Sequence, residues 1–401
     1  MGRLKQYQAG FTVGELDPLL RGRIDLQQYY SSVALADNVL FEPQGGFSRR
    51  PGLRFVTDLT ADNPQNGVLL IPFEFSTTQN FMIVASVFNA SSTIRLRFYA
   101  NQTLLTNING SGNSYLDRAV GTLYDSSAID MDKTYFTQSA DTLIVVNEDF
   151  APFSIVRGAN NSTWTVATLS LTVPISLFTI AESNPSATLT PSAVSGTVTL
   201  TASSSIFTDA MINQYVYDNT DFGRARIISR TSGTVVQAIT EIPFFSTTAL
   251  AAGKWTLEQG HEAAWSNTRG WPRTTTFHEG RLWFGGSSSE PATLWGSKVV
   301  QYFNFKAAEG LDDDAIAATL TTDSVNAITA MRSGRDLQIF TTGAEFFVPQ
   351  ANLDPITPAN ITIKSATRRG SKLGIRPQAA EGGTLFIQRQ GKALREMLFS
   401  D

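Results

Sequence analysis

The sequence predicts a mainly β protein, with a propeller-like body of repeated hairpins or blades and an inserted small β-barrel or sandwich domain. Three observations support this class. Apolar and polar residues alternate with a period of two in residues 81–84, 94–99, 197–201 and 225–228, which is typical of half-buried strands. A unit of turn, strand, turn and strand recurs along the chain. One long stretch with almost no charge interrupts this recurrence.

The composition favours strands and more than one structural unit. The chain has 401 residues, so two or more domains, or one domain with a large insertion, are expected. Charged residues make up only 16%, against roughly a quarter in a typical domain, and Ser, Thr and Asn fill the difference. The formal net charge of −4 excludes the strongly basic balance of proteins that grip nucleic acid over a large surface.

Targeting signals and cysteine chemistry are missing from the sequence. No secretion signal follows Met1, and no apolar run reaches the roughly 18 residues that a membrane helix needs. The chain has no cysteine, which excludes disulfides and thiolate metal sites. We therefore expect a soluble protein without a membrane partner.

The recurring unit contains a short apolar strand after each turn. Its anchor positions are spaced by 62, 139, 55 and 48 residues. Spacings near 50 are typical of four-stranded propeller blades. The alternative is that any all-β protein shows hairpins at loose intervals. The anchors are Phe81, Leu143, Leu282, Leu337 and Leu385.

The longest gap between anchors predicts an inserted domain. Between Arg157 and Asp209 the only charged residue is Glu182, and several prolines punctuate this stretch. The predicted division is an N-terminal arm and docking segment (1–60), a first part of the body (61–164), the insert (165–265) and a second part of the body (266–401).

Helices are expected only as a turn or two, at residues 25–30 and 314–320. The acidic run Asp312-Asp313-Asp314 precedes small apolar residues. Carboxylates in this position are typical of a helix N-terminus, where they offset the positive end of the dipole. The run lacks the spaced ligands and closing Glu of a calcium loop.

The residues that usually carry catalysis give no pattern. His261 begins a zinc-protease-like motif that lacks its second histidine. His278 lies in a turn before a predicted strand, where a hydrogen-bonded histidine is the ordinary interpretation. No phosphate-binding loop or nucleophile elbow is present. We therefore predict no catalytic residue, no metal site and no cofactor, and a protein that is not an enzyme.

The most distinctive loop spans residues 41–52 and is the candidate interface with another subunit or an adaptor protein. Two glycines permit positive φ or close backbone approach, and a following proline keeps the loop extended. Two arginines are therefore presented on a shaped loop, for an acidic neighbour or a phosphate. The alternative is an ordinary solvated turn. The candidate residues are Gln44, Gly45, Gly46, Arg49 and Arg50.

A set of short segments is distributed along the chain: FTVGELDP (11–18), GRIDLQQY (22–29), PQGG (43–46), RRPGLRFV (49–56), QSADTL (138–143), GWPR (270–273), GRLWFGG (280–286), LWGS (294–297), FNF (303–305), DDDAI (312–316) and FTTGAE (340–345). In this order the segments resemble the tail nozzle proteins of podovirus-type bacteriophages, also called tail tubular protein B. No single motif is specific, but their ordered combination spans nearly the whole chain and is weakest in the insert. The sequence departs from the family at Leu398 to Asp401, where it stops in a strand pair in which related chains look set to continue. We therefore expect either that the chain is a fragment with an incomplete last blade, or that an N-terminal strand closes this blade.

The resemblance implies a structural virion protein of a short phage tail, made in the bacterial host cytoplasm. Six copies would form a nozzle under a ring of head-to-tail adaptor subunits, near tail fibres or spikes. The ring would retain genomic DNA and then conduct it during ejection. The alternative is a carbohydrate-binding or depolymerising β-propeller tail protein, which would show clustered carboxylates beside aromatic platforms such as Trp271 and Trp283. An adaptor role would require a helix-rich chain, which this is not.

The net charge also bears on how such a ring would treat DNA. A charge of −4 per chain gives a hexamer about −24, which repels a polyanion. A wall of arginines would hold the genome by counterion release and slow its exit. We therefore expect a channel with few positive charges. Arg49 and Arg50 are assigned to an interface, where bidentate pairing with carboxylates favours Arg over Lys, and no DNA-binding residue is assigned.

Overall fold

The computed structural model describes residues 7–88, 92–125, 128–306, 311–322, 326–349 and 355–398. Side chains are not described at 65–66, 175–181 and 259–262. Contacts divide the chain into two units, Met1–Asp58 and Leu59–Asp401. The described residues form many small sheets and no α-helix, so the mainly β class is confirmed. The 3₁₀ helices are Pro18–Leu20, Gln27–Ser31, Thr60–Asp62, Ile108–Gly110, Met131–Lys133 and Asp209–Met211.

The N-terminal unit contains two small two-stranded sheets. Strands β1 (Gly14–Glu15) and β2 (Ser32–Val33) pair in parallel. Strands β3 (Val39–Phe41) and β4 (Phe47–Arg49) form an antiparallel hairpin. Such small sheets bury little apolar surface, and several large apolar side chains of this unit are exposed.

The second unit begins with two antiparallel sheets in which each strand pairs with the next along the chain. We call them blades 1 and 2. Blade 1 contains β5 (Gln65–Glu74), β6 (Asn80–Val87), β7 (Thr93–Ala100), β8 (Thr103–Leu104) and β9 (Leu116–Ala119), the last paired with β7. Blade 2 contains β10 (Tyr135–Ser139), β11 (Thr142–Asn147), β12 (Phe150–Arg157) and β13 (Trp164–Thr168).

A seven-stranded sheet with its own apolar core follows blade 2. The spatial order of its strands is β14-β20-β17-β18-β19-β16-β15. The strand that comes first along the chain, β14, therefore pairs with the strand that comes last, β20. Buried residues of this core include Val216, Ile227, Val236 and Trp255. The strands are β14 (Ile175–Ser183), β15 (Leu189–Pro191), β16 (Thr197–Ala202), β17 (Tyr215–Asp218), β18 (Arg224–Arg230), β19 (Val235–Ile242) and β20 (Trp255–Ala263). This sheet, from Ile175 to Ala263, lies within the predicted insert, 165–265.

Three more antiparallel sheets, blades 3 to 5, complete the described chain. Blade 3 contains β21 (Thr274–His278), β22 (Arg281–Gly285), β23 (Thr293–Gly296) and β24 (Ile316–Thr319). Blade 4 contains β25 (Ile328–Ser333), β26 (Leu337–Thr341), β27 (Glu345–Val348) and β28 (Lys364–Thr367). Blade 5 contains β29 (Gln378–Ala380), β30 (Gly383–Ile387) and β31 (Leu394–Leu398).

The blades stack face to face because successive residues of a strand point to opposite faces. In β11, Leu143 and Val145 join the core shared with blade 1, whereas Ile144 and Val146 join the core shared with blades 3 to 5. In β22, Trp283 joins a further core between blades 3 and 4. A strand that is buried on both faces therefore has a continuous run of apolar residues in its sequence, as β11 has from Leu143 to Val146.

The five predicted anchors occupy equivalent places in the blades. Phe81, Leu143, Leu282, Leu337 and Leu385 each lie near the start of the second strand of a blade. Each pairs with a residue of the first strand of its own blade. The recurring sequence unit is therefore the blade, as the fold class predicted.

The helix predicted at residues 314–320 is wrong, because this segment forms β24 at the outer edge of blade 3. Arg281 explains the difference. Its guanidinium donates to the carbonyl oxygens of Asp312 and Asp314 at 2.8 and 2.6 Å, which leads the chain into the sheet instead of a helical turn. Tertiary pairing thus overrides the local acidic pattern. The other predicted turn, 25–30, overlaps the 3₁₀ helix Gln27–Ser31.

Candidate functional site

A cavity of about 450 Å³ lies where the first strands of the blades converge. β5, β10, β21 and β25, together with the start of β29, contribute to its wall, so it occupies the central axis of the body. The lining residues are Leu69, Leu70, Pro72, Tyr135, Phe136, Thr137, Thr275, Thr276, Met331, Arg332, Ser333, Arg376, Pro377 and Gln378. This set contains two arginines and no acidic residue.

Arg376 is placed in the cavity by contacts with blade 2. Its Nη2 donates to the carbonyl oxygen of Phe136, and its guanidinium lies 3.6 Å from the centre of the Phe136 ring. Burial, helped by the nearby charge of Arg332, lowers the pKa of Arg376 to about 10. Burial and a like charge thus both disfavour the charged guanidinium.

Arg332 is the second cation, at the end of the inner strand of blade 4. Its Nη1 lies 3.4 Å from the carbonyl oxygen of Pro377, a long hydrogen bond. Among the described residues, neither Arg332 nor Arg376 forms an ion pair with a carboxylate. The two guanidiniums therefore leave a local excess of positive charge.

Tyr135 also lines this cavity, although its hydroxyl oxygen is enclosed by protein atoms. Its side chain is 2% exposed, and burial raises its pKa to about 12, although the charge of Arg376 opposes this. The phenol is therefore neutral and can donate a proton. The Gly374 amide lies near the phenol oxygen as a donor, and no acceptor for the phenol proton is found among the described atoms.

The backbone just before Arg376 reaches the central cavity through a conformation that requires glycine at position 374. Gly374 has φ +83, and a Cβ there would lie 3.1 Å from the carbonyl oxygen of Asp132. A side chain would be strained at this φ and crowded against the segment that leads into blade 2. Gly374 therefore allows blade 5 to place Arg376 against Tyr135 and Phe136.

The predicted interface residues lie elsewhere, on the β3–β4 hairpin of the N-terminal unit. Gly45 has φ +100 and packs against Gly10, where a Cβ would lie 3.3 Å from the Gly10 Cα. Arg49 and Arg50 are exposed, and Arg50 Nε donates to Asn38 Oδ1 at 3.2 Å. Their role at an interface stays a prediction, as does that of Gln44 and Gly46.

The two histidines have different outcomes. The His261 side chain lies outside the described residues. His278 is buried, with Nδ1 2.9 Å from Ser333 Oγ, so it makes the side-chain hydrogen bond expected of a turn histidine. Among the described residues, no group of three or more His, Cys, Asp or Glu side chains could hold a metal ion, and no helix is long and apolar enough to cross a membrane.

The two tryptophans considered as sugar platforms serve the packing of the body. Trp283 is fully buried, and its Nε1 donates to the His278 carbonyl oxygen at 3.1 Å. Trp271 Nε1 donates to Asn267 Oδ1 at 2.9 Å. The nearby carboxylate, Glu148, is held by Arg273 at 2.6 Å and by a lysine. Burial raises the Glu148 pKa, but these two positive charges bring it below its ordinary value.

Sequence reasoning did not find Tyr135, Arg332 and Arg376. Each lies in or just before the first strand of a blade, and they are distant in the sequence. The available signal was a charged residue in an otherwise apolar inner strand, as in Ile328-Thr329-Ala330-Met331-Arg332. Recognising it requires knowing that first strands line the axis.

Comparisons with known proteins give little further guidance. No family model matches the sequence, and no curated protein matches it. A solved structure of phage phi92 endosialidase is similar at 9% sequence identity and a TM-score of 0.21. The alignment covers 78% of this chain and 60% of that one, so the chain spans less than two thirds of its length. A TM-score this low carries no argument about function.

Proposed function

We propose that this protein is a non-enzymatic structural subunit of a short phage tail, a nozzle subunit that retains genomic DNA and conducts it during ejection. The observation that carries the proposal is the ordered set of tail-nozzle motifs in the sequence. In this proposal the protein acts in the virion as a homo-hexamer, with an adaptor ring above it and fibres or spikes beside it.

The positions of the motif residues support a structural role. Arg273, from the GWPR motif, pairs with Glu148 of blade 2 at 2.6 Å. Arg281, from the GRLWFGG motif, binds the backbone of the DDDAI motif. The backbone amide of Thr342, in the FTTGAE motif, donates to Ala327 at 2.9 Å. These motif residues hold strands and blades together, which is what a scaffold protein requires.

Exposed apolar side chains support assembly with other copies. Leu19, Leu53 and Phe55 of the N-terminal unit are 90%, 88% and 79% exposed. Large apolar residues that water reaches so freely are typical of surfaces that become covered in complexes. A tail subunit that works only in a ring would leave such residues exposed in the single chain.

Mass photometry of the purified chain, alone and with the adaptor ring, tests the proposal. We expect particles with six times the mass of the 43.6-kDa chain, either alone or on the adaptor. Cryo-electron microscopy should then show a sixfold ring with an open axis. A chain that stays monomeric at micromolar concentration and does not bind the adaptor would contradict the proposal.

The depolymerase alternative has no support from the central cavity. A glycosidase usually needs a pair of carboxylates, and the described lining of this cavity contains none. Release of reducing ends from host capsule polysaccharide would nevertheless favour the alternative directly, and the same purified protein can be used for that assay.

A further inference from the structure

The central cavity has an excess of positive charge, which a purely structural protein does not need. Arg332 and Arg376 both line it, and no described carboxylate pairs with either. Buried or half-buried cations are normally paired, because an unpaired charge out of water is costly. Two neighbouring guanidiniums add mutual repulsion. An anion between them would remove both penalties.

Tyr135 contributes its ring to the lining of the cavity. Its hydroxyl oxygen is enclosed by protein atoms. An anion in the cavity would therefore contact the two guanidiniums and not this hydroxyl.

The apolar residues of the cavity indicate the character of the rest of the ligand. Leu70, Pro72 and Met331 line the cavity, and Leu70 is 59% exposed. A volume of about 450 Å³ lies in the range of roughly 300–1,000 Å³ typical of small-molecule sites. Such a cavity fits an oxyanion group attached to a small, mostly apolar body.

We infer that the central cavity binds a small organic oxyanion, with its carboxylate or phosphate group between Arg332 and Arg376 and its apolar part against Leu70 and Pro72. Guanidinium groups suit this ligand because their fork of N–H donors matches the oxygens of carboxylate and phosphate. The inference does not depend on assembly into a nozzle.

A purely structural role for Arg376 is the competing interpretation. Its bond to the Phe136 carbonyl oxygen and its stacking on the Phe136 ring would then be its whole function. A purely structural role for Arg376 gives Arg332 no part in ligand binding, so a substitution at Arg332 separates the two interpretations.

Isothermal titration calorimetry of the full chain tests the site with three probes of one shape: benzoate, phenyl phosphate and benzamide. We expect benzoate and phenyl phosphate to bind, and to raise the melting temperature as ligand concentration rises. Neutral benzamide should bind at least about tenfold more weakly, because it lacks the charge-assisted hydrogen bonds. Whichever anion binds more tightly identifies the preferred head group.

Three single variants assign the residues. Arg332→Gln should weaken benzoate binding about tenfold, the loss expected for one hydrogen bond to a charged group. Tyr135→Phe should bind benzoate like the original protein, because the hydroxyl that it removes is enclosed by protein atoms. The control, Arg389→Gln, changes an exposed arginine outside the cavity and should bind like the original protein.

The inference is overturned if neither anion binds, or if benzamide binds as tightly as benzoate. It is also overturned if Arg332→Gln binds benzoate like the Arg389→Gln control. Arg376→Gln is a further variant that should also lose binding. If that variant fails to fold, Arg332→Gln still decides the question.

Discussion

At the scale of single residues, His278 gives the protein an acid-sensitive point. It is buried at the end of β21, and its Nε2 has no partner among the described atoms. Burial lowers the pKa of His278, although the charges of Glu279 and Asp336 oppose this. The folded state therefore favours the neutral ring, whereas the unfolded chain takes up a proton near pH 6.5.

This pKa difference predicts how stability changes with pH. Because the unfolded state binds more protons, the contribution of His278 is complete above about pH 6.5 and is lost as pH falls towards the lower pKa of the folded state. We expect His278→Gln to reduce the fall in unfolding free energy between pH 7 and 5, measured by urea titration. An unchanged slope in the variant would show that His278 does not contribute.

Gly370 lies in a turn where an added side chain would clash, and Gly382 serves as a control that has a similar backbone conformation but no close neighbour. It has φ +72, and a Cβ there would lie 2.4 Å from the Thr342 carbonyl oxygen. Gly382 also has a positive φ, +85, but a Cβ added to Gly382 would meet nothing within 4 Å. Gly382→Ala should therefore lower the free energy of unfolding by about 1 kcal/mol, the cost of a left-handed backbone conformation at a residue with a side chain.

Gly370→Ala should lower the free energy of unfolding by about 2 kcal/mol more than Gly382→Ala does, because the steric clash adds to the same backbone strain. Urea unfolding of both variants gives the difference directly. Equal losses would mean that the turn at Thr342 moves aside without cost.

At the scale of elements, the insert offers a test of its independence. Trp255 is fully buried in the core of the seven-stranded sheet, and its Nε1 donates to the Ala187 carbonyl oxygen at 2.9 Å. Trp255→Ala should cost about 3–5 kcal/mol. If the predicted boundary at 165–265 separates two cores, amide exchange should accelerate in β16 to β19 and stay slow in β11 and β22.

Trp164→Ala is the matched control, because Trp164 stacks on Phe98 at 4.4 Å in the core between blades 1 and 2. It should accelerate exchange in β6 and β11 and leave β16 to β19 protected. Faster exchange everywhere in both variants would contradict a separate core for the insert.

The blades were predictable from the sequence, whereas the cavity was not. A second strand such as Leu143 to Val146 is an apolar run bounded by turns, and this local pattern survives in the sequence. The cavity brings together Tyr135, Arg332 and Arg376 only because whole blades stack, and no local period encodes that stacking. The wrong helix at 314–320 has the same origin, since Arg281 acts on it from another strand.

At the scale of the whole molecule, the arginines of the N-terminal hairpin test the proposed ring. Arg49 and Arg50 are exposed and form no ion pair with a described residue. Replacing both with Ala should therefore leave the melting temperature within about 1 °C, since surface changes of this kind cost little. If they serve an interface, the double variant should form fewer hexamers or adaptor complexes in mass photometry.

A double variant of exposed cations in blade 5, Arg389→Ala with Lys392→Ala, controls for the loss of two charges and should assemble normally. If the Arg49 and Arg50 variant also assembles normally but its particles release DNA early, these arginines contact DNA and the interface assignment is wrong.

The neighbouring position of β14 and β20 has a consequence for how such proteins change over time. The two strands pair directly, so the chain leaves the body and returns to it about one strand spacing away, roughly 4.8 Å. A gene can therefore gain, lose or exchange the whole module through one short junction. Changes that are selected in this module then leave the blades with their inherited geometry.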